Sequence, residues 1–113
     1  MTITEILSED KPAAEKLSAI SDIVSTIRAK YGNAEAVIPT TEVVTPSGLK
    51  PFAMLSQDDR LALVEREVER IRINAYEDSQ NAEGIVLDRR IEEYVSINPI
   101  LNNLGATLGS SYL

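Results

Sequence analysis

Two stretches of the chain place apolar residues at alternating steps of three and four, and this spacing constrains the fold more than any other feature. The first stretch has Leu17, Ile20, Val24, Ile27 and Tyr31, and the second has Leu61, Val64, Val68, Ile71 and Ala75. Such steps return to one side of an α-helix, whereas a half-buried strand alternates every second residue. The pattern therefore predicts two amphipathic helices, each of which buries one face.

The first of these helices is expected over residues 12–31. Pro12 suits the first position of a helix, and Gly32 stands where a left-handed C-terminal cap is favoured. Residues 1–10 precede it as an N-terminal arm. Within the arm, Thr2 and Glu5 have the spacing of a capping box, so one short helical turn is expected there.

Residues 56–97 are expected to form a helical hairpin or a broken long helix. Ser56 opens this segment with a helix-capping side chain. The apolar pattern is lost from Glu77 to Gly84, which predicts a break at that point. A third helix follows it and ends before the Asn98–Pro99 pair, because a proline disfavours helical backbone in the residue that precedes it.

The segment between the first two helices, residues 33–55, is not helical in character. It is interrupted by three prolines, Pro39, Pro46 and Pro51. Thr45 to Gly48 form a credible turn, so residues 37–44 and 49–54 are expected to pair as a β-hairpin. A proline-stiffened extended arm that lies on a neighbouring molecule is the alternative, and the sequence leaves both open.

The last twenty residues, 94–113, carry no charge, although the preceding residues hold all eighteen acids and all eleven bases. Asparagines, glycines and a proline interrupt them, and a membrane span needs roughly 20 mostly apolar residues. We therefore expect residues 98–113 to form an apolar C-terminal arm that packs on its own domain or on another chain. Its predicted interface anchors are Ile100, Leu101, Leu104, Leu108, Tyr112 and Leu113. A second predicted interface is the seam Leu61, Val64, Val68 and Ile71, which serves equally well as core.

The residue types that are missing restrict the chemistry. The chain has no histidine and no cysteine, which excludes His-based nucleophilic constellations, thiolate chemistry and Cys-based metal sites. Residues 79–90 imitate an EF-hand loop, but Ser79 and Arg90 occupy its first and last ligand positions. The glycines have no nucleotide-binding spacing. We expect no catalytic, cofactor or metal site and no enzymatic activity.

The net charge of −7 is concentrated in residues 74–93, where six acids face two arginines. An acidic chain repels phosphate backbones, so we expect no direct binding to nucleic acid. The same acids suggest an alternative function, a small regulator or inhibitor that binds a basic protein surface. Exposed charges act mainly on association rates and are screened by salt, which weakens this alternative.

Together these features predict a single mainly α domain over residues 1–113, with a three-helix core, a Pro-rich extended or β-hairpin insertion between helices 1 and 2, and the apolar arm. The expected function is a structural or assembly protein, a subunit of an oligomer or a multi-protein complex such as a phage or viral particle. Its partners would be protein chains, identical or different, with no membrane contact. The first ten residues carry acids and no base, unlike a secretory signal, so we expect a cytoplasmic protein or one incorporated in a particle assembled there.

Overall fold

The structure is a computed structural model that describes residues 2–31 and 42–104. Its helices are α1 (Ile3–Leu7), α2 (Ala13–Tyr31), α3 (Gln57–Asn81) and α4 (Leu87–Ile97). Between α2 and α3 lies an antiparallel hairpin of β1 (Glu42–Thr45) and β2 (Gly48–Pro51). Two 3₁₀ turns occupy Phe52–Met54 and Leu101–Asn103. The predicted mainly α fold, with three main helices and an insertion between the first two, is confirmed.

Two helix starts are fixed by side chains that the sequence indicated. The Glu5 amide donates to Thr2 Oγ1 at 3.2 Å, and the Thr2 amide donates to Glu5 Oε1 at 3.0 Å, which completes a capping box on α1. At the start of α3, the amide of Asp59 donates to Ser56 Oγ at 3.1 Å. Each side-chain oxygen satisfies an amide that has no partner within its helix, so both helices begin at defined residues.

The core is aliphatic and lies between α1, α2, α3 and α4. The predicted stripe on α2 is buried as expected at Leu17, Ile20, Val24 and Ile27, whereas Tyr31 at its end is 36% exposed. The facing residues are Val64, Val68 and Ile71 of α3, Val95 of α4, Ile3 and Ile6 of α1, and Leu101 and Leu104 after α4. A smaller cluster of Phe52, Leu55 and Leu63 packs beneath the hairpin.

α3 continues as far as Asn81, beyond the point where the apolar pattern is lost. Its last turns are held by tertiary contacts: the Tyr94 hydroxyl donates to Asp78 Oδ2, and Arg90 Nε lies 3.1 Å from the same oxygen. These contacts stabilise a polar helix end that local sequence alone does not favour. The break thus begins after Asn81, in the later part of the predicted range from Glu77 to Gly84, and Gly84 turns the chain there with a φ of 82°.

The insertion is a hairpin, one of the two structures that the sequence left open. Its pairing runs from Glu42 opposite Pro51 to Thr45 opposite Gly48, and residues 37–41 lie outside the described part of the chain. The predicted second strand, residues 49–54, is too long, because residues 52–54 form a 3₁₀ turn whose Phe52 is buried beneath the hairpin. The turn is fixed by Thr45, whose Oγ1 accepts from the Ser47 amide at 3.1 Å and donates to the Gly48 carbonyl at 2.7 Å. Gly48 has a φ of 111°, which favours glycine.

The hairpin is tied to α3 by two polar contacts. Ser47 Oγ donates to Asp59 Oδ1 at 3.0 Å, and Arg66 Nη1 donates to the carbonyl of Val44 at 3.1 Å. An isolated two-stranded ribbon is marginal in water, so it needs such support. The hairpin is therefore held against α3, and Val44 and Leu49 remain exposed on its outer face.

The chain that leaves α4 is held against α3 by buried polar groups. Asn98 Nδ2 donates to Glu67 Oε1 at 3.2 Å, and Asn98 Oδ1 accepts from the Leu101 amide at 3.0 Å. Glu67 is only 3% exposed and also accepts from Arg70 Nη2 at 2.6 Å. A buried carboxylate is tolerated when it has such partners, so Glu67 anchors the first part of the C-terminal segment.

Candidate functional site

The predicted interface residues are largely engaged within the chain. Val64, Val68, Ile71, Leu101 and Leu104 are buried in the core, and Leu61 and Ile100 are partly buried against it. Leu108, Tyr112 and Leu113 lie outside the described residues. The described anchors thus pack in cis, and contact of any of these ten residues with a partner stays a prediction.

A different surface is left uncovered by the described residues: a hollow of about 580 Å³ between the helices. Ile23 and Ile27 of α2 form one wall, and Ile91 and Leu87 of α4 form the opposite wall. Ile71 of α3 belongs to the floor. The apolar stripe of α4 repeats every four residues and so covers only part of the apolar surface that α2 and α3 present. Protein cores are close-packed, and a hollow of this size is large enough to receive apolar side chains of another molecule.

The hollow continues into a shallower depression of about 460 Å³ along the outer side of α3. Leu87, Ile91 and Arg72 line both, which makes them one continuous surface, called here the α3/α4 groove. Ile73 and Tyr76 form its outer lip and are 49% and 56% exposed, respectively. Contiguous exposed apolar surface of this kind is typical of protein interaction sites.

The rim of the groove is mainly acidic. Glu69, Glu77 and Asp88 line it, and none of them makes an ion pair with another described residue. Arg72 is the one base among the lining residues of the described chain, and it too lacks an ion pair there. Three unpaired acids against one base leave the rim with negative charge available to a partner.

Glu92 also lines the groove, but its carboxylate is already paired with a residue of the same chain. Lys30 Nζ donates to Glu92 Oε1 at 3.3 Å, and the Tyr31 hydroxyl donates to the same oxygen at 3.1 Å. These contacts join the end of α2 to α4.

Beside the groove, α3 and α4 are joined by the cluster of Asp78, Arg90 and Tyr94. The Tyr94 hydroxyl donates a hydrogen bond to the Asp78 carboxylate, and this bond raises the pKa of Tyr94. Burial contributes in the same direction. The Arg90 guanidinium lies 5.6 Å from the centre of the Tyr94 ring. The cluster ties the C-terminal turns of α3 to α4 beside the groove.

The groove offers burial for the apolar groups of another molecule. Its lining in the described chain consists of aliphatic side chains, threonines, Tyr76 and the rim charges. Within residues 2–31 and 42–104, no three acids are placed to hold a metal ion together. None of the helices of that part is both long enough and apolar enough to span a membrane.

Leu87 and Ile91 stand four residues apart in the sequence, as residues on one side of a helix do, whereas Ile73 and Tyr76 were not among the predicted interface residues. These two residues lie off the seam of α3, on a face that is otherwise charged. Their separation of three residues on that face is a signal that they share one side of the helix. Their role depends on where α4 crosses α3, which local spacing does not determine.

Comparisons with known proteins give no match: no protein family's profile matches the chain, and no curated protein or solved structure is significantly similar to it.

Proposed function

We propose that this chain is a non-enzymatic interaction protein that works as a subunit of a multi-protein assembly. The observation that supports the proposal is the α3/α4 groove, whose apolar walls are not covered by any described part of the chain. Burying apolar surface is worth about 25 cal/mol per Å², so two or three side chains inserted into the groove would supply much of the free energy of association. The partner is a protein chain, identical or different.

The sequence supports the same function through the C-terminal arm. Residues 105–113 carry no charge and end in Tyr112 and Leu113, which we expect to act as further anchors on a partner. Several adhesive surfaces without reactive chemistry are typical of structural components of phage and viral particles. We include such a particle, assembled in the cytoplasm, among the assemblies in which this subunit works.

The alternative of an acidic regulator finds less support in the geometry. Of the six acids between Glu77 and Glu93, three are paired within the chain: Asp78 with Arg90, Glu92 with Lys30, and Glu93 with Arg90. Charges held in this way are not available to a basic surface. The alternative stays a prediction, and no observation favours it over the groove.

Site-specific cross-linking in cells of the native source tests the proposal. Tyr76 is replaced by a photo-reactive phenylalanine analogue, which is similar in shape and stands on the lip of the groove. The matched control carries the same analogue at Ser18, which is exposed on α2 and does not line the groove. We expect discrete protein adducts from position 76 and background from position 18.

Sedimentation of the purified chain over a concentration series then shows whether the adduct partner is a second copy. Equal cross-linking at positions 76 and 18, together with a monomer at every concentration, would contradict the proposed function.

A further inference from the structure

The groove also indicates which secondary structure its occupant has. Its described lining comes from the start of α1 and from α2, α3 and α4, so it contains no strand. Backbone amides and carbonyls in the interior of a helix are bonded within that helix. An extended peptide that entered would find no strand edge to pair with, and its own buried backbone groups would lack partners. A helix bonds its own backbone amides and carbonyls to one another, so it can enter an apolar groove without leaving buried backbone groups unpaired.

The two hollows lie side by side, because Leu87, Ile91 and Arg72 line both of them. The deeper hollow lies between Ile27 and Ile91, and the shallower one lies between Ile73 and Leu87. Residues three, four and seven positions apart on a helix project from one face, so successive anchors of one helix reach both hollows. The recognition mode is an amphipathic helix laid into a groove.

The rim gives the sign of the partner's charge. Glu69, Glu77 and Asp88 lie along the opening without ion pairs among the described residues, against the one base Arg72. Lysines or arginines that flank the apolar face of a docked helix would meet these acids, whereas acidic flanks would be repelled.

We propose that the α3/α4 groove binds a basic amphipathic helix of a partner protein. This inference rests on the proposed function and adds the chemical class of the partner. The helix presents apolar anchors at positions i, i+3 or i+4, and i+7, with Lys or Arg on both flanks of that face.

Three synthetic peptides of equal length test the inference by fluorescence anisotropy with the full chain. The first is an amphipathic Leu/Lys helix, the second has Glu in place of every Lys, and the third is a scrambled Leu/Lys sequence with no apolar face. The scrambled peptide is the essential control, because the net charge of −7 attracts any basic peptide. We expect the amphipathic basic peptide to bind about tenfold more tightly than either of the others.

Protein variants locate the binding. Leu87→Gln should weaken binding of the amphipathic basic peptide about tenfold, because it replaces an apolar side chain on the shared wall of both hollows by a polar one and leaves the charge of the rim unchanged. Glu77→Lys should weaken it about fivefold, while the control Glu65→Lys should change it less than twofold. Both exchanges reverse one exposed charge on α3, but Glu65 does not line the groove.

The inference is overturned if the scrambled or the acidic peptide binds as tightly as the amphipathic basic one, or if the two charge reversals have equal effects. Those results leave the proposed function standing as long as position 76 forms adducts. Loss of the adducts counts against the proposed function itself, so the two failures are distinguishable.

Discussion

Arg60 Nη1 donates a hydrogen bond of 2.7 Å to the main-chain carbonyl of Leu104, across forty-four residues of sequence. The guanidinium is buried, also donates to the Ala53 carbonyl at 3.3 Å, and lies 5.5 Å from the centre of the Phe52 ring. Burial lowers the pKa of Arg60, although an arginine keeps its charge. One side chain thus joins the start of α3, the turn before it and the segment after α4.

Replacing Arg60 by methionine should therefore destabilise the fold. Arg60→Met keeps much of the apolar stem but leaves two buried carbonyls without their donor, which costs about 2 kcal/mol in the free energy of unfolding. Urea unfolding followed by circular dichroism measures the change. Arg89→Met is the matched control, because Arg89 is exposed on α4 and should change stability by less than about 0.5 kcal/mol. Equal effects of the two exchanges would contradict the role of Arg60.

Glu67 and Asn98 should stabilise the fold as a coupled pair. Glu67→Ala removes a buried acceptor and leaves the Asn98 amide without it, so we expect a loss of about 2 kcal/mol. A double-mutant cycle with Asn98→Ala should give a coupling free energy of about 1 kcal/mol. Glu65→Ala, on the exposed side of α3, is the control. Strict additivity of the Glu67 and Asn98 exchanges would show that their contact does not hold the segment after α4.

Truncations should separate the part of the C-terminal arm that packs in cis from the rest. Ending the chain after Ile97 removes the buried side chains of Leu101 and Leu104, whereas ending it after Leu104 retains both. We expect the shorter chain to be less stable than the longer one by about 3 kcal/mol or more, measured by urea unfolding. If the two truncated chains are equally stable, residues 98–104 do not belong to the core.

The bond between Tyr94 and Asp78 should make stability depend on alkaline pH. The raised pKa of Tyr94 means that the folded state favours the neutral phenol, so this contribution is complete below the ordinary tyrosine pKa of about 10. It is lost as the pH rises through the raised pKa. The stability advantage of the wild-type chain over Tyr94→Phe should thus be constant near neutral pH and shrink in strongly alkaline buffer. Urea unfolding of both chains across that range measures it, and a constant difference would contradict the assignment.

Local sequence patterns predict the helices well because each has a spacing or a cap that acts within a few residues. Steps of three and four define α2 and α3, Ser56 fixes the start of α3, and the Asn98–Pro99 pair lies beyond the end of α4. The turn Thr45 to Gly48 is likewise determined locally, by the hydrogen bonds of Thr45 Oγ1 and the positive φ of Gly48.

The spacing of apolar residues in the sequence does not predict features that depend on how the helices cross in the fold. The polar end of α3 is held by Asp78 through contacts with α4, and no local rule indicates them. The seam at Val64 and Val68 is used within the chain, because α2 supplies a facing stripe of the same spacing. Ile73 and Tyr76 acquire their place on the groove only from the position of Leu87 on the neighbouring helix.

The central claim is that the α3/α4 groove holds this chain in an assembly, and Leu87→Glu tests it without disturbing the fold. Leu87 is 37% exposed and is the first residue of α4, where an acidic side chain is compatible with the helix dipole. The unfolding temperature should therefore stay close to that of the wild type.

The decisive measurement is the size of the complex that contains the tagged chain, determined by gel filtration of an extract from its native source. We expect the wild-type chain to elute in a complex larger than the monomer and Leu87→Glu to elute as the monomer. Identical elution of two equally stable chains would contradict the account.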